Sequence, residues 1–237
     1  MIHYVIARHD RKLFNKHIKK SLPKKRKNYI IDDRKDLNSM SAKYNEARSQ
    51  LIANDLKDDD IVIFVHEDVE LIDFDFENKV NFYFDKVKDC GVGGVYGTTT
   101  WAGGGWWHHD RTKNARGQIT QGNGRSDRFV MKENNLNTRV LLIDGCILMV
   151  RGKLLKQLPF DTELKGYHHY DNRYCLDTLL TTDFKNYIFN IMVFHKSSGP
   201  LNTDWVTGDS KTQYKYTNKG LTLPIDLHSI ETFKRNI

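Results

Sequence analysis

An unbroken apolar run that ends abruptly in charged residues is the feature that most restricts how this chain can fold. The run Ile61–Val65 reads Ile-Val-Ile-Phe-Val and is followed directly by the tripeptide His66–Asp68. Five consecutive β-branched or aromatic residues predict a strand buried on both faces, which is typical of the middle of an α/β sheet. Open α/β sheets bind ligands at the carboxyl ends of their strands. The carboxylates here indicate either a site for a divalent cation and its phosphates, or ordinary solvated turn residues.

Composition and cysteine usage restrict the class of protein. The chain has 237 residues, 39% of them hydrophobic and 28% charged, which suffices for one large domain or two small ones. Its longest apolar stretch, Val140–Val150, is interrupted at Asp144 and falls short of the roughly 20 residues that span a bilayer. The N-terminus lacks the pattern of a signal peptide. We therefore expect no transmembrane segment and a reducing, cytoplasmic location, in agreement with three widely separated cysteines, Cys90, Cys146 and Cys175.

The chain is basic, and much of its excess charge is local. The formal net charge is +7, and seven Lys or Arg residues lie between Lys16 and Lys27. Such a cluster can bind nucleic acid, anionic lipid or a phosphorylated substrate, but it is often only a solvated helix and loop.

Strands and helices alternate along the chain, which predicts an α/β fold. The predicted strands are Met1–Arg8, Tyr29–Ile31, Ile61–Val65, Gly91–Gly97, Val140–Val150 and Tyr187–Phe194. The predicted helices are a basic one ending near Lys20, then Ser39–Leu56, Phe76–Lys88, Lys153–Leu158 and Asn172–Leu180. Beyond Gly199 the chain is polar and turn-rich, and residues 200–237 are expected to form either a flap over the site or a peripheral tail.

Acidic and imidazole side chains follow three of the predicted strands. They are Asp32 and Asp33, then His66, Glu67 and Asp68, and finally His195. Parallel strands would bring these residues along one edge of the sheet. Imidazole and carboxylate groups together are a plausible shell for Mn²⁺ or Mg²⁺, with phosphate oxygens and water completing it.

Two further segments carry side chains suited to binding or catalysis. Asp171 precedes a predicted helix, so it is either the N-cap of that helix or a general base over the sheet edge. Trp101, Trp106 and Trp107 flank a Gly-Gly-Gly run, which suits stacking on a sugar or base, or else packing in the core. The sequence contains neither a G-x-S-x-G elbow nor a P-loop, and its adjacent histidine pairs lack the H-E-x-x-H spacing. These absences disfavour a serine hydrolase, a P-loop kinase and a zinc hydrolase.

Six motifs in a consistent order from Met1 to about Gly199 resemble those of family 2 glycosyltransferases, especially the short branch named after a streptomycin-biosynthesis protein. The motifs are Ser41–Ala47, Phe64–Val69, Trp106-Trp107 with Arg116-Gly117, Asp144–Cys146, Phe160-Asp161 with His169–Leu176, and Val193–Gly199. The resemblance implies a GT-A domain over residues 1–199, built on a Rossmann-like mixed sheet flanked by helices.

The resemblance also implies roles for individual residues. Asp68 and His195 are expected to hold the metal and Asp171 to be the catalytic base. The nucleotide-sugar is expected to contact Arg8, Asp32, Asp33, Tyr44 and Asn45. The sugar or acceptor side is expected to involve Trp106, Trp107, Asp144 and His169. Two residues depart from the family pattern. Glu67 stands where relatives have Gln or an acidic residue, which leaves its role as a ligand open, and Arg173 replaces an acidic residue, so acceptor contacts there are expected to differ.

The function implied is an inverting transfer of a hexosyl or pentosyl group from a nucleotide-sugar, with a UDP-sugar expected. The acceptor is a glycan or a phosphate-bearing molecule, DNA included. Mn²⁺ or Mg²⁺ would neutralise the leaving diphosphate, and Asp171 would take the proton of the acceptor hydroxyl. Two alternatives stay open: a non-catalytic sugar- or nucleotide-binding protein of the same fold, and a metal-dependent nucleotidyltransferase. The latter would be expected to carry a glycine-rich loop after the first strand, but Arg8–Lys12 contains no glycine.

Overall fold

The computed structural model describes residues 1–24, 28–105, 111–122, 129–132, 138–196 and 202–236. The strands are β1 (Ile2–Arg8), β2 (Asn28–Asp32), β3 (Ile61–His66), β4 (Val69–Leu71), β5 (Cys90–Gly94), β6 (Tyr96–Thr98), β7 (Thr100–Trp101), β8 (Ala115–Gln121), β9 (Phe129–Lys132), β10 (Thr138–Val140), β11 (Leu142–Ile143), β12 (Ile147–Arg151), β13 (Lys185–Ile188), β14 (Val193–His195) and β15 (Ile225–Asp226). The helices are α1 (Arg11–Lys16), α2 (Ile18–Ser21), α3 (Met40–Ala53), α4 (Phe76–Lys86), α5 (Arg111–Asn114), α6 (Gly152–Gln157), α7 (Tyr170–Thr181), α8 (Thr203–Thr217) and α9 (Leu227–Arg235).

The main sheet is mixed, and β3 lies in its interior. Its strand order is β10-β13-β5-β12-β3-β1-β2, in which β1 is parallel to β2 and β3 while β12 runs antiparallel to β3. All five residues of Ile61–Val65 are buried, as their continuous apolar character predicts. Helix α3 packs against β1 and β2, and α7 packs against β5 and β13. The prediction of a mixed α/β sheet flanked by helices is confirmed.

A second sheet brings His195 to the end of β3. Its order is β11-β6-β8-β14-β4, with β9 paired to β8. Strand β4 follows β3 after a turn at Glu67 and Asp68, and its Val69 lies opposite His195 of β14 in an antiparallel pair. The prediction that parallel strands of one sheet align His195 with the carboxylates is therefore wrong. His195 reaches them from a neighbouring sheet.

Two segments that were each predicted as one strand contain two or three separate strands. Tyr187–Phe194 divides into β13 and β14, which belong to different sheets, and Val140–Val150 divides into β10, β11 and β12. Both segments are buried almost throughout, so hydrophobicity alone does not reveal where the backbone changes sheet.

Most of the C-terminal segment is helical, and the prediction of a turn-rich region is wrong for α8 and α9. Helices α8 and α9 bury Tyr216 and Ile230 in the same core as the sheets. Strand β15 pairs with β7 and places Ile225 opposite Trp101, which is fully buried. Trp101 therefore packs in the core. None of the helices among the described residues is both long and apolar enough to cross a membrane.

Candidate functional site

Three side chains converge where β3, β4 and β14 meet. His66 ends β3, Asp68 lies in the turn to β4, and His195 ends β14. Their possible ligand atoms all lie within 4.8 Å of one another. Asp68 Oδ1 and His195 Nε2 are 3.5 Å apart, so these two predicted ligands are indeed neighbours. We call His66, Asp68 and His195 the metal group.

His66, which the sequence places at the strand end without a role as a ligand, is a member of the metal group. Its Nε2 lies 2.7 Å from the hydroxyl of Tyr170, and that hydroxyl lies 2.7 Å from the carbonyl oxygen of Gly145. A carbonyl oxygen only accepts, so the Tyr170 hydroxyl donates to Gly145 and accepts from the protonated Nε2 of His66. This arrangement leaves Nδ1 of a neutral His66 as the atom with a free lone pair.

Burial and neighbouring charge set the protonation of the metal group. Burial lowers the pKa of His66 to about 4, so this imidazole is neutral near pH 7. Burial alone would raise the pKa of Asp68, but the adjacent His195 and His66 hold it well below its usual range. Burial alone would lower the pKa of His195, and Asp68 raises it. The group therefore presents an ionised carboxylate between two imidazoles.

The donor set of the metal group fits a transition-metal dication. His195 Nε2 is buried and makes no hydrogen bond with any described residue. Buried polar atoms usually have a partner, so this nitrogen is suited to bind a ligand such as a metal ion. Two imidazole nitrogens and one carboxylate suit Mn²⁺ better than Mg²⁺, which prefers oxygen ligands. Asp144 and Cys146 form a second close group with the same His195. Burial raises the pKa of the Cys146 thiol well above its usual value, so this thiol is protonated.

Glu67, the third predicted ligand, is not part of either group. It is buried, and its carboxylate accepts hydrogen bonds from the backbone amides of His9, at 3.0 Å, and Asp10, at 2.9 Å. Glu67 therefore holds the loop after β1 against the end of β3.

Asp171 lies close to the metal group through the turn Asp144–Cys146. Its Oδ2 accepts from the amide of Gly145 at 2.8 Å, and its Oδ1 accepts from the amide of Asn172 at 2.9 Å. A Cβ at position 145 would lie 2.3 Å from the Tyr170 hydroxyl oxygen and 2.8 Å from Asp171 Oδ2, so only glycine fits there. Helix α7 begins at Tyr170 with His169 as its N-cap residue, and the prediction that Asp171 is the N-cap is wrong.

The environment of Asp171 suits a general base. Burial, followed by repulsion from Asp144, raises the pKa of Asp171 to about 7. A carboxylate with a pKa near neutrality is a far stronger base than an ordinary one, and still ionises near pH 7.

Three of the residues predicted to bind the nucleotide, Arg8, Asp32 and Asp33, lie together at the ends of β1 and β2. Arg8 donates two hydrogen bonds to Asp32, at 2.5 and 2.7 Å. Asp33 pairs with the buried Lys43 and with His9, and it accepts from the Tyr167 hydroxyl at 3.2 Å. The hydrogen bond from Arg8 lowers the pKa of Asp32. Burial alone would raise the pKa of Asp33, but Lys43 and His9 lower it, so both carboxylates stay ionised at this edge.

Four other predicted contacts lie in the protein interior or outside the described residues. Tyr44 is fully buried, with its ring centroid 4.6 Å from that of Phe64. Asn45 exchanges two hydrogen bonds with the backbone of Phe160. Trp106 and Trp107 lie outside the described residues. Tyr44 also packs edge-to-face against Tyr170, with ring centroids 5.4 Å apart, so it lies beside the site, while the Asn45 amide is engaged by the Phe160 backbone. Their contacts with the nucleotide stay predictions.

His169 and Arg173 join helix α7 to helix α8. His169 Nε2 donates to the carbonyl of Trp205 at 2.9 Å. Arg173 is buried, pairs with Asp161 and lies 3.2 Å from the Thr212 hydroxyl. The expectation that Arg173 alters acceptor contacts is not supported by this placement, since its guanidinium faces Asp161 and α8.

Comparison with known proteins is consistent with this geometry. A family profile described as "Glycosyltransferase like family" matches residues 5–222. The chain belongs to this family. Among solved structures, GalNAc-T7 with UDP, GalNAc and Mn²⁺ is similar at a TM-score of 0.58 and 9% identity, over 100% of this chain and 54% of that one. The chain thus spans about half the length of that transferase. A197 from STIV is similar at a TM-score of 0.47 and 14% identity, over 80% of this chain and 81% of that one. No curated protein sequence shows significant similarity to the chain.

The family match and the GalNAc-T7 likeness confirm the predicted GT-A fold and support a glycosyltransferase. The assignment to the short streptomycin-related branch stays a prediction.

Proposed function

We propose that this protein is a metal-dependent glycosyltransferase that moves a hexosyl or pentosyl group from a nucleotide-sugar to an acceptor hydroxyl with inversion. The main observation in support is that the short turn Asp144–Cys146 contacts both the proposed base and the metal group. Its Gly145 amide binds Asp171, the proposed base, and its Asp144 and Cys146 lie against His195 of the metal group. Because the base and the metal group are held close together, one can deprotonate an acceptor hydroxyl while the other neutralises a leaving diphosphate.

His66, Asp68 and His195 would hold the metal, and their donor set favours Mn²⁺. When bound, the ion supplies positive charge that neutralises the leaving diphosphate. The GalNAc-T7 structure contains UDP and Mn²⁺, which supports a UDP-sugar donor by fold analogy. Arg8, Asp32 and Asp33 are the described residues that we assign to the nucleotide.

Asp171 takes the acceptor proton on a carboxylate oxygen. Inversion requires the acceptor oxygen to attack the anomeric carbon from the face opposite the leaving group, so one base suffices. The amides of Gly145 and Asn172 keep the carboxylate oriented while the acceptor approaches. We propose a glycan or a phosphate-bearing acceptor, DNA included, because cations such as Lys113 and Arg116 lie near the Trp106-Trp107 segment in the sequence.

A donor screen tests the proposal. The protein is incubated with a panel of nucleotide-sugars and Mn²⁺, Mg²⁺ or EDTA, and nucleoside diphosphate release is measured. We expect release with Mn²⁺ and a UDP-sugar, little release with EDTA, and a product whose anomeric configuration by NMR is opposite to that of the donor. Pyrophosphate release instead would identify a nucleotidyltransferase. Donor binding without turnover, for any acceptor tried, would identify a binding protein.

A further inference from the structure

Helices α1 and α2 present a cationic surface to solvent. Their buried residues are Phe14 and Ile18, and His17, which lies between the two helices, is also buried. The exposed positions recur in pairs about every four residues, as on one side of a helix, and five of the six carry a positive charge: Arg11, Lys12, Lys16, Lys19 and Lys20. We call these five side chains the basic face.

The basic face is not neutralised by the residues around it. Residues 11–24 contain no Asp or Glu. The preceding Asp10 uses its carboxylate to cap α1, accepting from the amides of Lys12 and Leu13. The nearby Glu70 accepts from Nδ1 of the buried His17 at 2.8 Å. Within the described part of the chain, no member of the basic face forms an ion pair, so its charge is available to an external partner.

Exposed apolar side chains stand beside the end of α2. The side chain of Phe74 is completely exposed at 102%, and Ile72 is 41% exposed. Their loop is attached to α2, because the Leu71 amide donates to the Ser21 hydroxyl at 3.0 Å. A cavity connects the loop to the helix end, and its lining includes Ser21, Pro23, Leu71 and Phe74 together with the acidic residues Asp73, Asp75 and Glu77. These three carboxylates already have partners within the fold, because Asp73 pairs with Lys79, Asp75 accepts from the Asn78 side chain and Glu77 accepts from the Tyr4 hydroxyl. The basic face and this apolar loop are therefore neighbours.

We propose that the basic face and the Ile72–Phe74 loop bind the surface of an anionic lipid bilayer. Cations are drawn to the negative surface potential of such a bilayer, and an adjacent exposed aromatic ring gains free energy by entering the interface. A nucleic acid would also attract the cations. It offers no apolar environment for Ile72, whose aliphatic side chain has no ring to stack on a base.

The active-site edge lies next to this surface. Arg11 of the basic face directly follows Asp10 in the chain. The Asp10 amide donates to Glu67, and Glu67 is adjacent in sequence to Asp68 of the metal group. A protein docked in this way holds its metal group close to molecules embedded in the lipid surface. The docking goes beyond the transferase proposal and does not depend on it, since binding can be measured without turnover.

Vesicle co-sedimentation tests the proposal with the full chain. The vesicles are phosphatidylcholine alone or phosphatidylcholine with about 30% phosphatidylglycerol. We expect binding only to the anionic vesicles, falling steeply as NaCl is raised. Replacing the whole basic face should weaken binding by about 100-fold or more, in the variant Arg11→Gln, Lys12→Gln, Lys16→Gln, Lys19→Gln, Lys20→Gln. Phe74→Ser alone should weaken binding roughly 10-fold through lost apolar burial.

A matched variant controls for net charge. It removes five exposed lysines elsewhere, Lys88→Gln, Lys153→Gln, Lys165→Gln, Lys211→Gln and Lys219→Gln, and should bind anionic vesicles nearly as well as the native chain. Thermal melting confirms that each variant is folded. The proposal is overturned if the native chain does not bind anionic vesicles at low salt, or if the two five-site variants bind equally. It is also overturned if the basic face proves to bind duplex DNA, by fluorescence anisotropy, and no vesicle.

Discussion

At the scale of single residues, the orientation of His66 depends on one hydroxyl group. Tyr170 accepts from Nε2 of His66 and donates to Gly145, which leaves Nδ1 of a neutral His66 as the nitrogen with a free lone pair for a metal. We therefore expect Tyr170→Phe to weaken Mn²⁺ binding about 10- to 100-fold, because the imidazole loses its preferred tautomer and orientation. Calorimetry measures the affinity, and ¹⁵N NMR of the imidazole reports the tautomer directly. An unchanged tautomer and an unchanged Mn²⁺ affinity would remove Tyr170 from the site.

Asp68 and Glu67 are adjacent carboxylates to which the structure gives different roles. Asp68→Asn removes the only carboxylate of the metal group and should abolish detectable Mn²⁺ binding and metal-dependent turnover while the chain stays folded. Glu67→Gln is the matched control, because that side chain binds amides of the loop after β1. It should retain Mn²⁺ affinity and lose some thermal stability. Equal loss of Mn²⁺ binding in both variants would contradict this division of roles.

The pKa of Asp171 gives the reaction a predictable pH dependence. Since a base must be ionised, kcat/KM should rise with pH and level off above about pH 7. Asp171→Asn should lower kcat roughly 100-fold or more, abolish this rise and leave donor binding nearly unchanged. Initial rates between pH 5 and 9, with calorimetric donor titrations, provide the measurement. A pH-independent native enzyme would exclude Asp171 as the base.

The same pKa has a consequence for stability. The pKa of Asp171 in the folded chain lies above its ordinary value of 3.8, so the unfolded chain ionises more easily. Its contribution to the free energy of unfolding is therefore complete below about pH 4 and is lost as the pH rises towards about 7. The melting temperature of Asp171→Asn should accordingly show less decline over this range than that of the native chain.

At the scale of elements, the local parts of the fold were predictable and the pairing between distant strands was not. The apolar run Ile61–Val65 defines its own strand, and Ser39 caps α3 through the Ala42 amide as its residue type suggests. By contrast, β14 has only three residues and meets β4, more than 100 residues earlier, through tertiary packing. The sequence contains no local signal for such a pairing.

The site was predictable to the extent that it follows from strand ends. Asp68 and His195 were assigned to the metal by the family resemblance, and each lies close behind an apolar run that ends a strand. His66 was recognised at the strand end but was not assigned as a ligand, because its orientation depends on Tyr170, which is 104 residues away. The helix that carries Tyr44 and Asn45 was predicted correctly. The sequence does not show that Tyr44 packs against Phe64 and Phe160, because those contacts are made by distant parts of the chain.

Helix α8 fixes the glycine-rich segment that leads towards Trp106. Asp209 accepts from the amide of Gly104 at 2.9 Å and from the side chain of Gln213 at 2.6 Å. We expect Asp209→Ala to raise the acceptor KM several-fold without changing donor affinity, since it releases a loop that we place on the acceptor side. It should also destabilise the chain by about 1 kcal/mol, because the half-buried Gly104 amide loses its partner. Ser210→Ala, exposed on the same helix, is the control and should change neither quantity.

At the scale of the whole molecule, the C-terminal helices complete the core. A network of charged and hydroxyl groups joins α8 to α7: Lys215 lies 2.8 Å from both Asp161 and Asp177, and the Tyr216 hydroxyl donates to Asp177 at 3.0 Å. Arg173 is buried against the same Asp161. Removing one side of such a network leaves buried charges without partners, which is strongly destabilising.

A chain that ends at Gly199 should therefore not fold cooperatively. It lacks the buried side chains of Tyr216, Leu221, Ile225 and Ile230, exposes Trp101, and leaves Asp177 without Lys215 and the Tyr216 hydroxyl. We expect it to be aggregation-prone, to show no sharp thermal transition by circular dichroism, and to bind no Mn²⁺. A chain that lacks only Asn236 and Ile237 is the control and should melt like the full chain, because Asn236 is exposed. A cooperative transition and Mn²⁺ binding in the chain ending at Gly199 would instead establish residues 1–199 as a complete domain. The C-terminal segment would then be a dispensable flap.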